Sequence, residues 1–226
     1  VIDLVVNGDS RGWFKENWQR AKMVGLGLPD FVPVQNNMSF NTATGVTRGL
    51  HAEPWDKLVS IAHGRVFAAW VDLREGDSFG TVVTIELGPE TAVFVPRGVA
   101  NGYQTLADDT VYSYLVNEHW SPGARDSYSY LNLADETAAV NWPIPLGQAT
   151  ISEADLAHPR LADAKPVPAK RTVIVGCGGQ LGRALSALLP DALGVDLPDF
   201  DLTKPAVVDA LDWTNVGTII NASAFT

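Results

Sequence analysis

The sequence predicts a mainly β domain, read as a sandwich, jelly roll or barrel, followed by a linker and an incomplete α/β segment. Three observations predict it. Strand-length segments with alternating apolar residues recur at short intervals from Lys57 to Val116, with no long 3.6-residue helical pattern among them. A stretch rich in Pro, Ala and Lys then runs from His158 to Lys170. Beyond it the pattern changes to a continuous apolar strand that runs into a glycine-rich turn.

The chain has 226 residues, 46% of them hydrophobic and 19% charged, enough for one generous core or two small ones. Its single cysteine, Cys177, excludes an intrachain disulfide and a Cys-rich metal site. A net charge of −10 argues against general nucleic-acid binding, so an anionic small-molecule ligand needs a local nest of arginines. No run approaches transmembrane length and no charged-then-apolar leader opens the chain, which points to the cytoplasm and away from a membrane. The chain does not begin with Met and ends at Asn221-Ala222-Ser223-Ala224-Phe225-Thr226, directly after an apolar run; the expectation is a fragment at that end.

Taken in order, Val1–Val6 reads as a strand, Asn7-Gly8-Asp9-Ser10 as a turn and 17–28 as one short helix. Val32–Ser39 reads as a strand. Period-2 segments follow at Lys57–His63, Arg65–Leu73, Thr81–Leu87, Thr91–Pro96 and Thr110–Val116, with Gly and Pro in the gaps. Residues 134–157 read as a cap on this domain, with Ser152 as a helix N-cap. The expected division is a β domain over 1–157, a linker over 158–170 and an α/β segment over 171–226. In the last, Arg171–Val175 is a strand, Gly176, Gly179 and Gly182 fall between strand and helix, and Leu193–Asp196 is the next strand. Glycines there permit the tight turn and let a helix N-terminus approach a pyrophosphate, as in a Rossmann-type dinucleotide site, with Asp196 as ribose partner.

One stretch concentrates chemistry: Arg48-Gly49-Leu50-His51-Ala52-Glu53-Pro54-Trp55-Asp56-Lys57-Leu58-Val59. A strand that enters a core holds charges only if each has a partner or a job. The spacing His51-x-Glu53-x3-Lys57-x6-Gly64 resembles the first motif of the cupins, whose His-x-His and Glu hold a metal inside a small β-barrel. Pro96-x-Gly98-x2-Asn101-x3-Thr105 resembles the second, with Asn101 where a metal-binding His stands. A lysine has no lone pair to give a cation, so the resemblance implies a cupin scaffold that has lost its metal and does proton chemistry instead.

Residues 9–155 resemble the dTDP-4-dehydrorhamnose 3,5-epimerases, most specifically in Arg48-Gly49-Leu50-His51, and also in Gly12-Trp13-Phe14-Lys15-Glu16, Lys57-Leu58-Val59 and Ile151-Ser152-Glu153-Ala154-Asp155. The resemblance implies a cofactor-free isomerase acting on dTDP-4-keto-6-deoxyglucose. It implies His51 as base with Asp155 as its partner, Lys57 as enolate stabiliser and Tyr114 as proton donor; Tyr112 shares its strand face. Arg11 and Arg48 are implied for the diphosphate, Glu16, Gln35, Asn37 and Asn101 for sugar or nucleotide, and Trp120 for stacking. A homodimer with an exchanged N-terminal strand is implied as well. The family has His at position 101 and Gln at 53, which leaves a single-site epimerase as an alternative. A metal-dependent cupin and a non-catalytic binding module are further alternatives. His63, His119 and His158 read as structural or surface residues. Residues 171–226 resemble the start of a dTDP-4-dehydrorhamnose reductase, through Gly179-Gln180-Leu181-Gly182 and the closing Asn221-Ala222-Ser223-Ala224. That implies NADPH or NADH for the complete reductase only.

Overall fold

The computed structural model describes residues 1–213 and 215–223. Ala224, the last residue of the closing Asn-Ala-Ser-Ala stretch, lies outside them, as do Phe225 and Thr226. The chain divides into two compact units, Val1–Val167 and Pro168–Thr226.

In the first unit two five-stranded antiparallel sheets face each other. One holds β1 (Ile2–Asp3), β4 (Gln35–Asn41), β6 (Lys57–His63), β9 (Thr91–Val95) and β11 (Thr110–Val116), in the order β1-β9-β6-β11-β4. The other holds β5 (Thr47–Ala52), β7 (Val66–Asp72), β8 (Val82–Leu87), β10 (Val99–Thr105) and β12 (Ser129–Tyr130), in the order β12-β5-β10-β7-β8. A small hairpin, β2 (Val6–Asp9) with β3 (Gly12–Lys15), and helix α1 (Arg20–Gly25) precede the second sheet-forming strand.

Strand alternation sorts the apolar residues into three layers. Val59, Ile61, Val66, Ala68, Trp70, Val93, Val95, Tyr103 and Tyr112 point between the sheets. Leu58 and Ala92, on the outer face of the first sheet, pack under Ile2, Leu4, Met23 and Phe31 from the N-terminal segment. Leu50, Ala52, Ala69, Val71 and Ala100, on the outer face of the second, lie under Leu131, Leu133, Ala138, Leu161 and Val167. The central strands of each sheet therefore have both faces covered, which explains why β6 and β7 read as near-continuous apolar runs, whereas the edge strands β4 and β8 leave Met38, Phe40 and Val83 exposed.

Several boundaries differ from expectation. The run Val1–Val6 splits into β1 and the start of β2, and Asn7-Gly8-Asp9 is strand, because the reversal sits later. Gly12 takes φ 130° and the Asp9 carboxylate accepts from the Arg11 backbone N–H at 2.9 Å. The strand expected from Val32 starts at Gln35, after Pro33, which has no N–H to offer a ladder. β5 and β10 escape the alternation rule because Gly and polar residues interrupt their apolar face, yet they carry His51 and Asn101. Gly49 is a steric requirement: at φ 124° an added Cβ would lie 2.5 Å from the Gly102 Cα on β10.

The stretch 158–170 is a linker only at its end. Leu161, Ala164 and Val167 are buried, and Val167 exchanges backbone hydrogen bonds with Leu73 and Glu75, so the first unit continues to Val167. Proline richness hid this, since three apolar residues spaced three apart carry the packing.

The second unit is a three-stranded parallel sheet in the order β14-β13-β15, built from β13 (Arg171–Val175), β14 (Leu193–Val195) and β15 (Val216–Asn221). Helix α3 (Gln180–Leu188) connects the first two strands and α4 (Pro205–Ala210) precedes the third; the remaining helix, α2 (Glu153–Leu156), belongs to the first unit. No helix among the described residues is long and apolar enough to cross a membrane.

Leu161→Ala is expected to destabilise the first unit by about 2–4 kcal/mol, read by denaturant unfolding, as for a buried leucine. A leucine in a free linker would cost about 0.5 kcal/mol or less.

Candidate functional site

The inner faces of the two sheets place the polar residues of interest opposite one another. From the second sheet come His51 of β5, with Asn101 directly across from it on β10, and Glu53 just beyond the end of β5. From the first come Lys57 of β6 and Tyr112 and Tyr114 of β11. These lie in register with the interior apolar residues, because Lys57 is two residues from Val59 and Tyr114 pairs with Val59 across the ladder.

His51 meets Asp155 through its Nε2, 2.8 Å from Oδ1. A carboxylate only accepts, so Nε2 carries the hydrogen and Nδ1 keeps a lone pair. Asp155 is positioned by the N-terminus of α2: Ser152, the cap anticipated from the sequence, accepts from the Asp155 backbone N–H at 3.1 Å. The Gly49 N–H reaches the other carboxylate oxygen at 3.4 Å. His158, expected to be structural or surface, also donates from Nε2 to the same Oδ1, at 3.2 Å. Burial alone would raise the Asp155 carboxyl, but the hydrogen bonds from His158 and His51 overcome it and hold it well below the usual carboxylate range.

Lys57 is 4% exposed and Glu53 8%, and they form an ion pair at 2.5 Å. The Trp55 indole N–H gives Glu53 a second donor at 2.8 Å. The Lys57 ammonium lies 5.6 Å from the Tyr114 ring centroid. Burial, then the Glu53 charge, pushes the Tyr114 phenol up to about 12, so it stays protonated at neutral pH. Tyr112, fully buried and stacked on Tyr103 at 4.0 Å, is raised by burial and donates to Asn101 Oδ1 at 2.9 Å. The Tyr112–Asn101 hydrogen bond thus links the two sheets, with Tyr114 and Lys57 beside it on the first.

Arg48 is exposed and donates to Asn41 Oδ1 at 3.0 Å. Gln35 donates to Asn37 at 2.8 Å and accepts from the Trp120 backbone N–H at 3.0 Å, so three expected binding residues adjoin. Asn37 pairs with Tyr114 across the ladder, and Arg125 lies 6.0 Å from the Trp120 ring. Arg11 and Glu16 are not brought to these residues within the chain. Arg11 is 87% exposed on the β2–β3 hairpin and paired with Asp9 at 2.6 Å, and Glu16 pairs with Lys22 at 2.6 Å.

Sequence reasoning missed His158, Tyr130 and Arg125. A signal for His158 was present: it stands three residues after Asp155, just past the end of the short helix that Ser152 caps. Nothing local marks Tyr130, which reaches His51 only because β12 pairs with β5.

The former metal positions of the barrel motif hold His51, Glu53, Lys57 and Asn101. The one carboxylate there is taken by an ammonium, a poor donor set for a cation. Among the described residues, His51, Asp155 and His158 do place ligand-type atoms within 4.8 Å of one another, a set that can hold a metal ion.

In the second unit Gly176, Gly179 and Asp196 line one cleft with Ser223, and Gln180 and Leu181 open α3. The Asp196 carboxylate accepts from the Gly178 N–H at 2.6 Å. A Cβ at Gly182 would meet the Gly176 carbonyl oxygen, so the helix approaches the turn closely.

Lys57→Met is expected to cost about 3–5 kcal/mol of stability by stranding a buried carboxylate, and adding Glu53→Leu should recover most of it; a double-mutant cycle in denaturant measures the coupling.

Comparison with known proteins places this architecture. The family model for dTDP-4-dehydrorhamnose 3,5-epimerase matches residues 1–163. The protein called RmlC homolog from Streptococcus pyogenes is 48% identical over 174 residues, covering 75% of this chain and 87% of that protein. The dTDP-4-dehydrorhamnose 3,5-epimerase of Sinorhizobium fredii is 35% identical, covering 69% and 81%. The structure of RmlC from Streptococcus suis in complex with dTDP-D-xylose superposes with a TM-score of 0.70 at 48% identity, covering 74% of this chain and 87% of that one. With a family model spanning most of the chain and relatives matched over most of their own length, the chain belongs to the dTDP-4-dehydrorhamnose 3,5-epimerase family, on its mainly β cupin-like fold.

Proposed function

We propose that the chain inverts C3 and C5 of dTDP-4-keto-6-deoxyglucose, giving dTDP-4-keto-rhamnose, as an isomerase that needs no metal or other cofactor. Family membership supports the reaction, and RmlC of Legionella pneumophila, 30% identical, has been solved in complex with dTDP-4-keto-L-rhamnose. The observation that carries the residue roles is the opposition of two proton-handling groups across the barrel interior: His51, backed by Asp155, on one sheet and Tyr114, beside Lys57, on the other.

The C4 ketone acidifies the hydrogens on C3 and C5. His51 Nδ1, the nitrogen left free by the bond to Asp155, takes such a hydrogen, and Asp155 stabilises the imidazolium that results. Charge then develops on the ketone oxygen. A lysine in a dry interior stabilises such an oxyanion without reorganising. Lys57 is already bonded to Glu53, so its charge is held in place, and moving toward the enolate exchanges one anionic partner for another. Tyr114 returns a proton to the opposite face, and burial keeps that phenol protonated until it is needed. Arg48 serves the diphosphate, and Gln35, Asn37, Asn101 and Trp120 serve the sugar and nucleotide.

Arg11 and Glu16 serve through a second copy of the chain. A homodimer that exchanges the N-terminal segment is supported by the hairpin itself, which presents Trp13 and Phe14, the latter 70% exposed. The second unit is proposed as the opening of a Rossmann-type reductase domain fused to the epimerase. Support comes from the β14-β13-β15 parallel order, the Gly176, Gly179 and Gly182 turn into α3, and Asp196 at the end of the neighbouring strand. NADPH or NADH belongs to that domain only when complete.

Proton NMR of the substrate with enzyme in D2O tests the reaction. Deuterium is expected at C5 and C3, with the exchange lost in His51→Asn and slowed by roughly a hundred- to ten-thousand-fold in Tyr114→Phe. Exchange that survives His51→Asn removes that residue from the base role, and uptake at one carbon selects a single-site epimerase.

A further inference from the structure

We propose that His51, Asp155 and His158 form a binding site for a divalent cation of the zinc type, and that a cation held there switches off the base. Of the four motif positions inside the barrel, this site uses only His51. Its effect on the reaction rests on His51 being the base; the binding itself does not.

The donor set and its shape carry the inference. Two imidazole nitrogens and one carboxylate oxygen lie within 4.8 Å of one another. Both Nε2 atoms face the same oxygen, Asp155 Oδ1, at 2.8 Å from His51 and 3.2 Å from His158. The two rings stand at 80° with centroids 5.2 Å apart, so they converge on that oxygen from different directions. A tetrahedral zinc with bonds of about 2.0–2.1 Å sets its ligand atoms about 3.3 Å apart. The His158 distance is already close to that, and the His51 distance needs to open by about half an ångström.

The ligands are also held from behind, as metal ligands generally are. Asp155 accepts at Oδ2 from the Gly49 N–H at 3.4 Å, and its own backbone N–H is capped by Ser152 at 3.1 Å. The His158 ring stacks on Tyr130 at 4.5 Å and 24°, and Tyr130 meets His51 edge-on at 5.6 Å. Side-chain exposure is 8% at Asp155, 12% at His158 and 32% at His51, so the cluster is largely enclosed with His51 its most open member. Unlike Glu53, Asp155 pairs with no lysine or arginine among the described residues, so its charge is available to a cation. Two imidazoles with one carboxylate suit zinc and its neighbours nickel and copper, whereas magnesium and calcium take oxygen ligands throughout. Three protein ligands leave the fourth position to water.

The consequence for the base follows from the tautomer. The bond to Asp155 puts the hydrogen of His51 on Nε2 and leaves the lone pair on Nδ1. A cation bound at Nε2 uses the lone pair there, so the hydrogen moves to Nδ1 and no proton is lost overall. Nδ1 is then a donor and has nothing with which to take a substrate hydrogen. Arg48, Gln35, Asn37 and Trp120 are not ligands of the cation, so nucleotide binding continues.

The test adds zinc sulfate to the full chain, after chelator treatment and dialysis, and reads calorimetric binding beside substrate deuterium exchange. One tight equivalent is expected, exchange should fall by roughly a hundred-fold or more, and dTDP affinity should stay within about two-fold. His158→Phe, which keeps a flat ring on Tyr130, is expected to weaken zinc by ten- to a hundred-fold and to free exchange from inhibition, each protein being compared with itself without metal. Zinc that acts equally on His158→Phe overturns the proposal, as does binding lost in Cys177→Ser, which would place the metal on the single thiol. Exchange lost on chelation and restored by zinc overturns it as well. Should His158→Phe not fold, imidazole NMR of the unaltered protein decides: zinc is expected to shift His51 and His158, and shifts confined to His63 or His119 overturn the site. One equivalent bound through His51 and His158 with exchange still running keeps the site and sinks His51 as base, so the two readings fail separately.

Discussion

The ion pair between Lys57 and Glu53 is the constraint around which the barrel interior is arranged. Two charges that have left water are tolerable only when each has its partners in good geometry. Glu53 has two donors, the Trp55 indole from the short segment that carries the chain from β5 on one sheet to β6 on the other, and the Lys57 ammonium at the start of β6. The pair therefore ties the two sheets together at the point where the chain crosses between them. It also fills with ammonium and carboxylate a place that the barrel motif associates with a metal.

Proton chemistry is a consistent use for such an interior. An ammonium fixed in a dry space gives an electrostatic anchor without the open coordination position a catalytic metal needs. The phenols of Tyr112 and Tyr114 are kept neutral by the same burial that makes the ion pair costly. On the opposite sheet His51 meets a carboxylate carried by α2, and its side chain stays 32% exposed while that of Asp155 is 8% exposed.

Much of this was legible in the chain. Alternation located β6, β7, β8, β9 and β11 within a residue or two, because each buries at least one face in a regular pattern. The Ser152 cap was readable because an N-cap needs only local geometry. Reading failed where the pattern was not local. β5 and β10 look irregular since Gly49 and Gly102 must lie against each other and the inward positions carry polar residues. The 158–167 stretch looked like a linker because proline content says nothing about whether the residues between prolines find a surface to cover.

Taken alone, the amino-acid order determined the β character of the front segment, the glycine turn of the rear one and the presence of His51 and Lys57 in strand sequence, since these follow from periodicity, backbone freedom and the cost of burying charge. Tertiary structure decided who meets whom. Asp155 and His158 lie more than a hundred residues from His51 along the chain, and they reach one another because the cap folds back over the sheet that carries His51. No local rule of sequence encodes that meeting, because the energy that brings the cap there comes from apolar burial by Leu131, Leu133, Leu161 and Val167 and not from the polar groups it delivers.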